Sequence, residues 1–221
     1  MRSVVSVLVG VALVAWLMSQ CRKPNGWLGR FLLWTMNRSH SGLTDWGLRD
    51  LPIGEHDTIL DVGCGGGRTV EKLALVATGG KVIGVDYSSA SVAAARRTNR
   101  RSIETGRVEI QQASVSHLPF SDRMFDLVTA VETHYYWPDL AADLREILRV
   151  LEPGGRLVII AEAYHGGRLG PLPRLVMKPM RGKVLSVGEL RDLLSSAGYS
   201  EVEVREEYEK GWICGIGRRS A

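Results

Sequence analysis

From residue 57 onward the chain alternates two hydrophobic patterns. Short apolar runs fall near residues 58–62, 81–85, 107–111, 124–130 and 156–162. Between them, apolar positions recur three and four apart near residues 67–77, 89–104 and 139–150. A short run without polar alternation is a strand buried on both faces, and the three-four spacing is a helix with one inward face. Strand and helix in alternation predict a parallel sheet covered on both sides. After Gly188 the pattern gives one more helix, Glu189 to Ala197, with Gly198 as its C-cap. Glu201 to Arg205 and Gly211 to Ile216 then read as an antiparallel hairpin.

Ahead of this region the pattern changes. Residues 4–18 are almost wholly apolar, and no charge lies between Arg2 and Arg22, an uncharged stretch of 19 residues. About 20 residues cross a bilayer as a helix. Apolar side chains occupy every face, unlike those of an amphipathic surface helix. A cleaved secretory signal stays open as an alternative, although no small-x-small site precedes Cys21, and Gln20 argues against a lipoprotein signal. The preferred reading is a single-pass transmembrane anchor at residues 1–22. Arg22, Lys23 and Arg30 then place the remainder on the cytoplasmic side. Residues 23–54 form a helical extension, with two short helices joined near residues 37–42 and Ser41 and Thr44 as caps. Residues 55–221 form the α/β domain.

The densest chemistry lies where the first run meets its helix. Residues 60–69 read Leu-Asp-Val-Gly-Cys-Gly-Gly-Gly-Arg-Thr, and Asp86 closes the next apolar run. Glycine admits positive φ and lets a ligand touch the backbone. The helix that follows offers unpaired N–H groups. A carboxylate at the end of the second strand can accept both hydroxyls of a ribose. These features describe a nucleoside pocket. A dinucleotide loop wants a third glycine where this chain has Arg68, which disfavours a nicotinamide-dependent oxidoreductase.

The Gly-x-Gly-x-Gly run with Asp61 ahead of it resembles motif I of class I S-adenosylmethionine-dependent methyltransferases. The segments Gly84 to Ser88, Val108 to Phe120, Phe125 to Ala130 and Leu144 to Leu157 resemble the family's later motifs in the same order. The last of these is similar to quinone-pathway and related small-molecule enzymes. The resemblance covers roughly residues 55–217. It implies a Rossmann-like, doubly wound seven-stranded sheet, mostly parallel with a C-terminal antiparallel hairpin, preceded here by the hydrophobic helix. It implies S-adenosylmethionine as cofactor, held by Asp61, Gly63, Gly65, Gly67, Asp86, Tyr87, Ser114 and Glu132. The family often has Asp where this chain has Ser114, so a neutral acceptor replaces a charged one toward the adenine amino group. An N-terminal extension often lids the cofactor in this family, which would bring His40 and Trp46 toward the site, but packing and capping are the preferred reading of both.

Methyl transfer from a sulfonium depends mainly on alignment, with a general base only where the acceptor must lose a proton. The groups ending the fourth and fifth strands are Glu132, Thr133, His134, Tyr135, Tyr136 and Trp137, then Glu162, Tyr164 and His165. His134 is the preferred base because an ordinary histidine titrates near neutrality; a place in the pocket wall is its alternative. Tyr135, Tyr136, Trp137 and Tyr164 are read as the apolar substrate pocket. Gly166 to Lys183 is a basic, proline-containing stretch where the family places a substrate-specifying insertion. It reads either as a solvated flap or as a contact for anionic headgroups.

Composition narrows the partners. The net charge is +4, and the densest basic cluster (Arg96, Arg97, Arg100, Arg101, Arg107) has no interleaved aromatic residue, so no nucleic acid is expected. Cys21, Cys64 and Cys214, like the five histidines, lack metal-ligand spacing, so no metal is expected. The expected partners are a small or lipid-like methyl acceptor and, through the N-terminal helix, a membrane. A non-catalytic membrane-anchored sensor or scaffold that binds S-adenosylmethionine remains the rival, since methyl transfer obliges no particular catalytic residue.

Overall fold

The computed structural model describes residues 41–168 and 182–221. The expected anchor at 1–22, residues 23–40 of the extension with His40, and residues 169–181 of the basic stretch lie outside the described residues. Among the described residues no helix is long and apolar enough to cross a membrane.

Seven strands form one sheet in the order β3-β2-β1-β4-β5-β7-β6. They are β1 (Thr58–Val62), β2 (Lys81–Asp86), β3 (Val108–Gln112), β4 (Phe125–Val131), β5 (Leu151–Ala161), β6 (Ser200–Glu207) and β7 (Trp212–Arg218). The first five run parallel, while β7 lies antiparallel to both β5 and β6. The expected sheet is therefore present, hairpin included. Strand order reverses between β1 and β4, and at such a switch point the connecting helices leave to opposite faces and open a crevice beyond the carboxyl ends.

The described helices are α1 (Ser41–Gly47), α2 (Arg68–Val76), α3 (Ser89–Thr98), α4 (Arg100–Glu104), α5 (Leu140–Val150) and α6 (Val187–Ala197), with a 3₁₀ turn at His134–Tyr136. On one face of the sheet Leu60, Phe125, Val128 and Leu157 pack with Leu144 and Ile147 of α5 and Leu190 and Leu194 of α6. On the other, Ile59, Val82 and Ile160 pack with Leu43 of α1 and Val70 and Leu73 of α2. The described end of the extension thus belongs to the core.

Several local expectations change. Thr44 is not a cap: it lies inside α1 and is buried. Trp46, by contrast, packs as preferred for it, on Trp212 with ring centroids 5.8 Å apart. The expected helix at 89–104 breaks at Asn99, because its side-chain amide donates to Gly67 O (2.9 Å) and Ala95 O (3.0 Å). Helix α6 starts earlier than expected, because Ser186 and Glu189 form a capping box that satisfies two orphan N–H donors. Three members of the arginine cluster have internal duties: Arg96 donates to Ile110 O, Arg107 to Ala74 O, and Arg100 pairs with Glu104.

Candidate active site

Beyond β1 the chain turns back through the glycines, and Gly63 N and Cys64 N both donate to Val85 O (2.8 and 2.9 Å). The loop is thereby stitched to the end of β2. Gly65 and Gly67 have φ of 52° and 82°, but their missing side chains serve different ends. A Cβ on Gly67 would lie 2.8 Å from Ala95 Cα, so this glycine lets α2 pack on α3. A Cβ on Gly65 would find nothing nearer than Gly63 O at 4.0 Å. The space beside Gly65 is cavity.

Asp86 is mostly buried, and its two carboxylate oxygens accept Ser88 N–H (2.8 Å) and Gly65 N–H (3.0 Å). It therefore ties the glycine loop to β2; the Ser91 side chain donates to it as well, and the carboxylate keeps acceptor capacity for a sugar hydroxyl. Burial raises its pKa, and those backbone donors oppose the rise. Asp61 is 2% exposed and accepts a hydrogen bond from Thr129 Oγ1 (2.7 Å). Burial first, then the neighbouring Asp86 charge, push Asp61 up to about 7 against the Thr129 bond. Two carboxylates facing one cavity create a strong preference for a cationic ligand. Cys64 is buried in the loop, and its thiol is pushed well up by burial, which suits a small packing residue rather than a nucleophile.

These residues line a cavity of about 380 Å³. One end is polar, with Asp61, Gly63, Gly65, Asp86, Tyr87 and Ser114; the other carries Val131, Glu132, Thr133, Tyr136, Trp137 and Pro138. Ser41 and Thr44 of α1 complete the wall. Lys72 Nζ secures that helix by donating to Ser41 O (2.9 Å) and to Asp45. Ser114 Oγ accepts Ser116 N–H (3.3 Å), which holds the turn after β3 beside the cavity.

The part of the wall beyond β4 starts at a strained residue. Glu132 has φ 58°, a left-handed conformation that costs a non-glycine residue roughly 1–3 kcal/mol. Its carboxylate accepts Glu162 N–H and Tyr135 O–H, and this pins the turn. Thr133 then lies against the glycine loop: a Cβ on Gly63 would sit 2.1 Å from Thr133 Oγ1. The same oxygen accepts Trp137 Nε1–H (3.3 Å). Thr133 joins the cofactor loop to the aromatic wall.

The expected residues divide accordingly. Tyr136 and Trp137 line the cavity, whereas Tyr135 and Tyr164 are buried in the core behind it. Tyr135 Oη bridges Ala163 O (3.1 Å) and Ala163 N (3.0 Å). Gly67 supports the loop from behind and is not in the wall. His134 also lies off the cavity wall, 3% exposed, with its ring 4.2 Å from that of Tyr135. Burial lowers its pKa to about 4, so it is neutral at pH 7 but a feeble base. From that position it does not face the cavity, as the expected base would have to.

Comparison with known proteins agrees with this geometry. Residues 60–159 match a family described as a methyltransferase domain. An O-methyltransferase of Penicillium expansum is 34% identical over 154 residues, covering 69% of this chain and 55% of that protein. A demethylmenaquinone methyltransferase of Lactiplantibacillus plantarum is 39% identical over 103 residues, 46% of this chain and 44% of that one. The chain thus spans about half the length of these relatives. A SAM-dependent methyltransferase structure from Aquifex aeolicus superposes with a TM-score of 0.70 at 22% identity, covering 84% of this chain and 96% of that one. Residues 60–159 are thus similar to a methyltransferase domain, the described sheet has the fold of the Aquifex structure, and S-adenosylmethionine is the cofactor. The open space at Gly65, the paired acceptors of Asp86 and the Asp61 carboxyl fit that molecule's backbone-hugging tail, ribose and positive charge.

Proposed function

We propose that this chain transfers a methyl group from S-adenosylmethionine to a hydroxyl oxygen of a small, flat, lipophilic acceptor such as a phenol or enol. The observation that carries the proposal is the division of one cavity into a carboxylate-lined end and an aromatic end, joined at Thr133. When bound, the cofactor supplies a methyl group already activated on a positively charged sulfur. The protein's part is alignment. Gly65, Asp61, Asp86 and the Ser114 turn hold one reactant, while Tyr136, Trp137 and Pro138 offer flat apolar surface to the other.

With His134 withdrawn into the core, the described wall contains carboxylates but no histidine or lysine. Such a wall suits an acceptor acidic enough to ionise with little help, and Glu132 is the carboxylate that β4 brings to that end. The O-methyltransferase relative supports an oxygen acceptor, and the demethylmenaquinone methyltransferase relative supports one that is flat and lipophilic. The uncharged stretch between Arg2 and Arg22 supports a membrane anchor that keeps the domain, on the cytoplasmic side, near lipid-dissolved acceptors.

The test is transfer of radiolabelled methyl from S-adenosylmethionine by the full chain into a lipid extract rich in phenols and quinols. Label should enter an organic-soluble, base-stable ether, and Thr133→Val should reduce the yield. Cofactor binding without any label transfer would favour a sensor or scaffold instead.

A further inference from the structure

Asp143 lies outside the cavity wall, on α5, and is 1% exposed. Its two carboxylate oxygens face different parts of the site. Oδ1 accepts the Ser116 hydroxyl (2.7 Å), and Oδ2 accepts Asp139 N–H (3.1 Å). Ser116 belongs to the turn after β3, whose residues Ser114 and Val115 line the polar end of the cavity. Asp139 follows directly on Trp137 and Pro138, which line the aromatic end. A single buried carboxylate thus spans the two walls from behind.

The span is stiff on both sides. Ser116 N donates to Ser114 Oγ, and His117 N to Ser114 O (3.1 Å), so the turn moves as a unit. Asp139 caps α5 by accepting from Ala141 N and Ala142 N, and Trp137 is tied to Thr133. The stretch 137–139 is therefore held at one end by Thr133, which rests on the glycine loop, and at the other by Asp143.

We propose that Asp143 is a positioning residue that transmits occupancy of the nucleoside end to the acceptor wall through the Ser116–Asp143–Asp139 hydrogen bonds. A ligand that presses on Ser114 and Val115 fixes Ser116, which fixes Asp143 and in turn the segment carrying Trp137 and Pro138. The acceptor site is thereby completed when the cofactor is in place, and it relaxes when that end empties. A purely structural Asp143 would cap Asp139 N–H without regard to ligand. The Ser116 hydroxyl, a bond to an exposed turn residue that the cap does not need, separates the two roles.

The inference rests on the cofactor reading, and S-adenosylhomocysteine serves as the probe. Calorimetry on the full chain measures its binding, and hydrogen exchange reads the amides of 113–118 and 139–143 with and without it. In the wild-type protein the ligand should slow exchange in both segments. In Ser116→Ala it should still slow 113–118, while the protection at 139–143 falls about fivefold, within the range by which linking residues change coupling. Ser116→Thr, which keeps the hydroxyl, should restore it, along with the melting temperature that Ser116→Ala loses by leaving the buried Asp143 oxygen without its donor. Full ligand-induced protection of 139–143 in Ser116→Ala would overturn the proposal, as would its absence in the wild type. Failure of S-adenosylhomocysteine to bind at all would instead remove the cofactor reading on which it stands.

Discussion

Asp61→Asn should make the ligand-free protein more stable and the cofactor site worse, with a pH signature that identifies the cause. The carboxyl titrates at about 7 in the folded chain against an ordinary value of 3.8. Below 3.8 folded and unfolded forms are both protonated, and Asp61 contributes no difference. Between 3.8 and 7 the unfolded chain ionises while the folded carboxyl does not, so the folded state loses relative stability as pH rises. Above 7 both are ionised, and the loss is complete. At about 1.4 kcal/mol per pH unit, the full cost is roughly 4 kcal/mol, an upper bound because cavity water solvates part of the charge. The substitution removes that cost and keeps an amide oxygen for Thr129 Oγ1.

The gain at pH 8 should therefore be about 2–4 kcal/mol, which for a chain of this size raises the melting temperature by on the order of 10 °C. Near pH 4 it should vanish. The assay is thermal unfolding of both proteins across pH 4–8 without cofactor, paired with S-adenosylhomocysteine binding across pH 5.5–8. Wild-type affinity should rise with pH as Asp61 becomes able to meet the ligand's ammonium group. The Asn variant should bind at least about tenfold more weakly at pH 8 and show a flatter pH profile. Equal stability gains at pH 4 and pH 8 would refute the reasoning, because the burial cost of a charge cannot act where the charge is absent.

Two glycines of one loop should fail differently. Gly67→Ala, with φ 82° and Ala95 in the way, should lower unfolding stability by about 1–3 kcal/mol. Gly65→Ala places its Cβ in the cavity and should weaken S-adenosylhomocysteine binding at least about tenfold at smaller cost to the fold. Calorimetry and melting curves separate the two losses, and the opposite ranking would mean the ligand passes elsewhere. Asp86→Ala removes the acceptor of Ser88 N–H and Gly65 N–H along with the sugar contacts, so affinity should fall at least about tenfold and stability by about 1–3 kcal/mol; unchanged affinity in a folded variant would displace the pocket. Ser114→Asp should hold or improve cofactor affinity, since a carboxylate can take over the bond from Ser116 N–H and offer a charged acceptor. A large loss in titration would show that the adenine lies on another part of the turn.

The sheet was legible because its central strands are buried on both faces: Ile59 to Val62 and Val82 to Asp86 show no alternation, as expected of a covered parallel sheet. The cofactor end was legible for a local reason. A glycine loop and the acid at the next strand's end lie within one strand-helix-strand unit, where spacing along the chain is spacing in the fold. The acceptor end has no such property. Histidine, tyrosine and tryptophan stand side by side at 134–137, and whether each faces the cavity depends on a 3₁₀ turn whose rotation no periodicity reveals. Chemistry favoured His134, and the turn buried it. Gly84 illustrates the same limit from the other side. A Cβ there would lie 2.9 Å from Val70 Cγ2, so helix and strand approach closely at β2. This contact serves the purpose that the absent glycine at Arg68 serves in a dinucleotide loop, but it needs the helix in place to be seen.

That turn begins at Glu132, and its strain explains why the acceptor wall takes the form it does. An ordinary β continuation from Val131 would carry the chain onward beyond the sheet edge. The left-handed step at Glu132 turns it back, so Thr133 meets Gly63 and Trp137 closes over it. A glycine would make the same step without strain, but it has no carboxylate for Glu162 N–H and Tyr135 O–H. The bond from Glu162 N–H ties the end of β4 to the residue after β5 and offsets the conformational cost, since a hydrogen bond to a charged group contributes about 1.5–3 kcal/mol. The strained residue is thus the fixed point from which the wall is hung. Glu132 positions Thr133, Thr133 positions Trp137 against the glycine loop, and Asp143 holds the far end of the same segment to the turn after β3.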